Sequence, residues 1–222
     1  MKDKNLQAVP GSEALFASIF PERLTKGDRK KLEIVAAASD LAAQIGVEGF
    51  NYDDLAAHLN TTRSHITYHF PKRDDLNLSL IRNMMAQGHA YTFSRMEAAT
   101  SAQGRLRAYL EGYIGFFAAH PGMSAIMVYF ASAAVTSPAI RELQVQVANL
   151  AYARISELLR QWVLESGGRM PRDLEIRARQ SQRLIFGGLM LALATSPRLD
   201  GVAAEQIITE VLQTIERILR GR

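Results

Sequence analysis

Apolar residues recur along this chain of 222 residues at spacings of three and four, the period of helices that each bury one face. From Arg29, the residues Ile34, Ala37, Ala38, Leu41 and Ile45 fall on one side of a helix that Gly46 can end. Asn51, with Asp54 three residues on, has the form of a capping box and opens a second, short helix through Leu55, Ala56 and Leu59. Asn60 tolerates the left-handed backbone needed to leave that helix, and Thr62 is placed to cap a third over residues 63–70, which Pro71 stops. A fourth begins near Lys72, with Asp74 and Asp75 in the first turn, where carboxylates meet the positive end of the helix dipole. Three short helices, the last two joined by a tight turn, form a helix-turn-helix unit.

Longer helical segments follow at 73–100, 103–119, 123–134, 138–166, 172–195 and 202–220, separated by breaks such as His120-Pro121-Gly122 and Ser196-Pro197-Arg198. No segment alternates as a strand would. The expected fold is therefore all-α: a loose arm over 1–25, an N-terminal three-helix helix-turn-helix domain over 26–75, and a helical domain over 76–222.

Composition narrows the function. At 48% apolar and 22% charged, with a net charge of +4, the chain is an ordinary globular protein and no histone-like coater of nucleic acid. Cysteine is absent, which excludes disulfide frameworks, thiolate nucleophiles, zinc ribbons and iron–sulfur clusters. The opening MKDKNLQAVPGSEA lacks the continuous apolar core of a secretory peptide, so a cytoplasmic location is expected. From Gly112 to Ile140 there is no charged residue, a span of 29 positions. It is broken at His120-Pro121-Gly122 and rich in Ala and Ser beyond, so buried helices of a globular body are expected, not a membrane span.

The stretch from Ile34 to Leu76 resembles the DNA-binding domain of the TetR family of transcriptional regulators. The resemblance rests on Ile34, Ala37-Ala38, Leu41 and Gly46, then Asn51, Leu55-Ala56, Thr62, Ile66, the Tyr68-His69-Phe70 triplet, and Arg73 through Leu76. Two positions depart from the family pattern: Asn60 stands in the turn where Gly is usual, and Thr67 where the recognition helix usually has its first Tyr. The resemblance implies a DNA-reading head, a larger body that binds a ligand and forms a dimer, and double-stranded operator DNA as partner.

The residues agree with that reading. A recognition helix needs short polar or basic side chains at its N-terminal end, where base edges come within reach; Thr62, Arg63, Ser64 and His65 supply them, Arg63 being suited to a guanine edge. Thr67, Tyr68, His69, Lys72 and Arg73 are expected on phosphates, and Asn51 joins them at the start of the preceding helix. Between Glu22 and Arg73 stand eight basic residues against seven acidic ones. One head alone would bind weakly, and a homodimer on a palindromic site is expected. His65 and His69 have the spacing of two metal ligands, but the intervening residues lack the Glu of a zinc-protease motif and no third ligand is evident, so no metal and no cofactor are expected.

In the body, Tyr113, Phe116, Met127 and Phe130 are expected to wall a site for a small apolar ligand. Ile185, Gly188, Leu189 and Ala192, together with Ile208, Val211, Leu212 and Ile215, are expected to form a four-helix dimer interface. The function that emerges is a sequence-specific regulator, in the first instance a repressor released by its ligand. An activator, a ligand-free regulator, an all-α enzyme and a lipid or small-molecule carrier are the alternatives. Against an enzyme stand the lack of a Gly-rich phosphate loop and of a nucleophile paired with a base.

Overall fold

A computed structural model describes residues 26–196 and 198–220. The expected N-terminal arm lies outside them. The described residues are helical with short connections: α1 Lys26–Ile45, α2 Tyr52–His58, α3 Arg63–His69, α4 Arg73–Glu97, α5 Ala102–Ala119, α6 Gly122–Ala133, α7 Pro138–Glu165, α8 Leu174–Thr195 and α9 Gly201–Arg220.

Local chemistry sets the head. Helix α1 ends where Gly46 takes φ +82°, a backbone that a side chain disfavours. The Asn51 side chain accepts from the Asp53 and Asp54 amides at 2.7 and 3.1 Å, and Asp54 accepts from the Asn51 amide at 2.8 Å. That capping box contributes about 1 kcal/mol. Asn60 sits at φ +52°, doing the work of the glycine it replaces. Thr62 then caps α3, its hydroxyl accepting from the His65 amide at 3.3 Å. Ile34, Ala38, Leu55, Ile66 and Phe70 are all buried and close the head's core. Ile45, expected on that buried face, is 53% exposed, although Ala42 of the same turn and Val47 just beyond it are buried.

Helix α4 starts in the head and runs unbroken across residues 75 and 76 into the body. Helix α5 packs directly on it, and Gly112 lies so close to Thr92 that an added Cβ would come within 2.5 Å of the Thr92 Cα. The start of α5 is tied to the end of α7: Arg105 donates to Glu165 at 2.8 Å, and the same carboxylate accepts from the Ala102 amide at 2.6 Å. Helix α8 packs on α7 and α9. Arg177 of α8 donates to the backbone carbonyls of Ile218 and Leu219, satisfying acceptors that the end of α9 would leave bare. No single helix among the described residues is long and apolar enough to cross a membrane; α5 and α6 would pass together only as a pair bent by 110°.

Candidate functional site

One face of α3 is free of the head's own packing. Arg63, Ser64, Thr67 and Tyr68 are exposed while Ile66 is fully buried, so the buried position fixes the helix and turns the polar ones outward. Tyr68 is 82% exposed, far more than an aromatic ring needs for packing. It meets the His69 ring edge-on at 5.1 Å, and His65 meets His69 at 5.0 Å. Desolvation, then the neighbouring His65 and the lysines at 31 and 30, lower the His69 imidazole from its ordinary value. Arg63 bridges to Asp53 of α2 at 2.5 Å, with both side chains well exposed. Such a surface pair is worth at most about 1 kcal/mol and yields readily to a phosphate or base edge. Thr67 turns its hydroxyl back to the Arg63 carbonyl at 3.0 Å. Lys72 is exposed at the entry to α4.

In the body, α4, α5, α6 and α7 line a half-open cavity of about 140 Å³. Tyr113, Phe116, Met127 and Phe130, the four wall residues named from sequence, all line it. The opposite wall comes from Met84, Gly88 and His89 of α4 and from Leu150 and Arg154 of α7. None of these was singled out by the sequence.

A family model for bacterial regulatory proteins of the tetR family matches residues 34–80, and one for the C-terminal domain of BetI-type transcriptional repressors matches residues 102–220. The chain belongs to the TetR family. Solved TetR-like structures agree at the level of the fold. A transcriptional regulator from Saccharomonospora viridis, in complex with choline, superposes with TM-score 0.73 at 20% identity, over 85% of this chain and 96% of that one. A TetR regulator from Haloarcula marismortui gives 0.72 at 15%, covering 87% and 97%, and a regulator from Rhodococcus sp. RHA1 gives 0.70 at 20%, covering 87% and 97%. No curated protein sequence matches this chain.

Within this TetR-family framework several expected roles move. Arg73 is not presented to a phosphate. Its guanidinium is drawn inward, donating to the Val47 carbonyl at 2.6 Å and lying 4.2 Å over the Phe50 ring, so it pins the loop between α1 and α2 to the start of α4. Asn51 is occupied as a helix cap. Of the eight residues expected at a dimer interface, Ile185, Leu189, Ile208, Val211 and Ile215 are buried inside the protomer. Gly188 serves the same internal contact, facing Ile207 and Val211 of α9. The sequence shows a stripe wider than one contact needs, and the half facing inward is the part that was named. Ala192 and Leu212 are only partly covered, while Gly187 and Leu191 of the TetR-like body face outward, Leu191 being 66% exposed.

His89, stacked on Phe93 at 6.0 Å, is pushed down to about 4 by burial and then by the charge of Arg154. Below pH 6.5 the unfolded chain therefore takes up a proton that the folded chain refuses until about pH 4. Stability is expected to be level above pH 7 and to fall between pH 6.5 and 4, and His89→Gln should flatten part of that fall in urea titrations across this range.

Proposed function

We propose that this TetR-family regulator is a homodimeric repressor that holds a palindromic operator through two α3 helices and leaves it when a small apolar ligand fills the body cavity. The observation that carries the reading is the double role of α6. Met127 and Phe130 line the cavity. At the start of the same helix, Gly122 lies so near α1 that a Cβ would come within 2.7 Å of the Ala43 methyl, and Tyr129 accepts a hydrogen bond from Asn77 of α4 at 2.8 Å. A ligand that displaces α6 thus pushes on the two helices that carry the reading head. The effect is a shift of populations, and it requires tighter ligand binding by the form whose heads are wrongly spaced for DNA.

The choline held by the Saccharomonospora structure supports a small-molecule site in a body of this shape, and the match to BetI-type repressors supports the sign of regulation. We also assign the division between head and body to residues 75 and 76, ahead of the matched C-terminal model at 102–220, and the cytoplasm as the place of action of a DNA-binding regulator. The dimer face is assigned to the outward side of α8, around Gly187 and Leu191, with Ala192 and Leu212 at its edge.

The test is a gel shift on DNA upstream of the protein's own gene, paired with sedimentation. A dimer is expected at micromolar concentration, with half-sites about 34–36 Å apart. Leu191→Glu should give a monomer and, by loss of the second contact, weaken operator binding about 100-fold or more. A native monomer, or an operator complex that no member of a broad small-molecule panel dissociates, would sink the reading.

A further inference from the structure

Among the cavity's lining residues no side chain is a carboxylate and one, Arg154, is a cation, while His89, Tyr109 and Tyr113 are polar groups that can donate or accept. Burial keeps both phenols protonated, pushing Tyr109 up to about 12 and raising Tyr113 as well. Their rings lie nearly parallel, with centroids 6.2 Å apart and 8° between planes. The remaining lining is apolar apart from Thr92, whose hydroxyl is turned to its own helix and donates to the Gly88 carbonyl at 2.7 Å. A cation entering here would exchange its hydration for the field of a guanidinium with no anion in the wall, which is costly at low dielectric. An anion would meet charge-assisted donors. The volume of about 140 Å³ is close to that of an apolar cavity known to take a benzene ring, about 150 Å³.

We propose that the cavity selects a small aromatic carboxylate, its ring against the Tyr113 and Phe116 faces and its carboxylate toward Arg154. This rests on the reading of the cavity as the effector site. Arg154 also has interactions within the chain, and a guanidinium has five N–H donors, enough to serve those and the ligand together.

Three ligands of nearly equal shape separate the possibilities: benzoate, benzamide and benzylammonium, titrated calorimetrically into the 222-residue protein. Benzoate is expected to bind at least tenfold tighter than either of the others. Arg154→Gln should erase that preference, benzoate and benzamide then binding alike, with thermal melts reporting whether the fold is intact; Arg154→Lys should keep part of the preference. Benzamide or benzylammonium equalling benzoate on the native protein, no heat from benzoate, or a preference that survives Arg154→Gln would each overturn the proposal. Operator release is read separately by gel shift. Benzoate binding without release by any ligand overturns the effector reading and leaves the ligand class standing, whereas release by another compound without benzoate binding overturns the ligand class alone.

Discussion

Gly112→Ala lowers the stability of this protein and Gly115→Ala raises it, although the two glycines lie within one turn of the same helix. Both replacements gain helix propensity, up to about 1 kcal/mol. At Gly115 nothing lies within 4 Å of the new methyl, so the gain is kept. At Gly112 the methyl meets the Thr92 Cα at 2.5 Å and its Cβ at 2.7 Å. Backbone cannot rotate out of the way as a flexible side chain can, so α4 and α5 must separate. Overpacking of that kind costs about 1–3 kcal/mol and more when backbone must move, which exceeds the propensity gain. For a chain of this length each kcal/mol moves the Tm by roughly 2–4 °C, so thermal melts of the two variants should shift in opposite directions. A Gly112→Ala variant as stable as the native protein would mean that the crossing is looser than described. Because Gly88 and Thr92 of α4 and Tyr113 and Phe116 of α5 all line the cavity, the same wedge should also weaken ligand binding, an effect that Gly115→Ala should not show.

What the chain discloses in its sequence follows the range of the interaction. The head was legible because its signals are local. Asn51 and Thr62 cap helices that begin one residue later, and Asn60 meets its left-handed backbone within the turn itself. Half of the cavity was legible for a similar reason: Tyr113, Phe116, Met127 and Phe130 lie in one charge-free run. The other half comes from helices tens of residues away on either side. Nothing in the neighbourhoods of His89 and Arg154 indicates that they face the same space, and sequence reasoning has no term for which helix packs on which. That five of the residues expected at a dimer face lie inside the protomer has a subtler cause. Ile185 and Leu191 are both apolar positions of one helix, and only the placement of α9 decides that the first is internal and the second exposed. Arg73 looked like a phosphate contact because it follows Lys72 beside the recognition helix, yet the Val47 carbonyl and the Phe50 ring claim it. A basic residue at a helix start has two fates, and the choice is made by a loop some 26 positions away.

Replacing Arg63 and Tyr68 together with alanine abolishes operator binding without unfolding the head. Both side chains stand outside the core, Tyr68 at 82% exposure, and the Arg63–Asp53 pair is an exposed one, so the cost in stability stays within about 1 kcal/mol. On DNA the balance is reversed. A bidentate Arg contact with a guanine edge is worth about 1–3 kcal/mol, and in a dimer each substitution is felt twice. On the proposed dimer Arg63 alone is then expected to account for about 2–6 kcal/mol, roughly a 30-fold to 20,000-fold loss, with the phosphate contact expected of Tyr68 added at both half-sites. Asp53→Asn supplies the opposite sign. It releases Arg63 from its partner and removes an acid beside the reading face, so affinity should rise and the salt dependence should steepen slightly. Lys72→Ala, at an exposed position expected on a phosphate, should weaken specific and nonspecific DNA equally and make the salt slope shallower, by about one for each phosphate contact it loses. Fluorescence anisotropy on specific and scrambled duplexes at several salt concentrations separates these effects. If the double variant holds the operator as the native protein does, the outward face of α3 is not the reading surface, and the DNA-facing side of the head must be sought elsewhere.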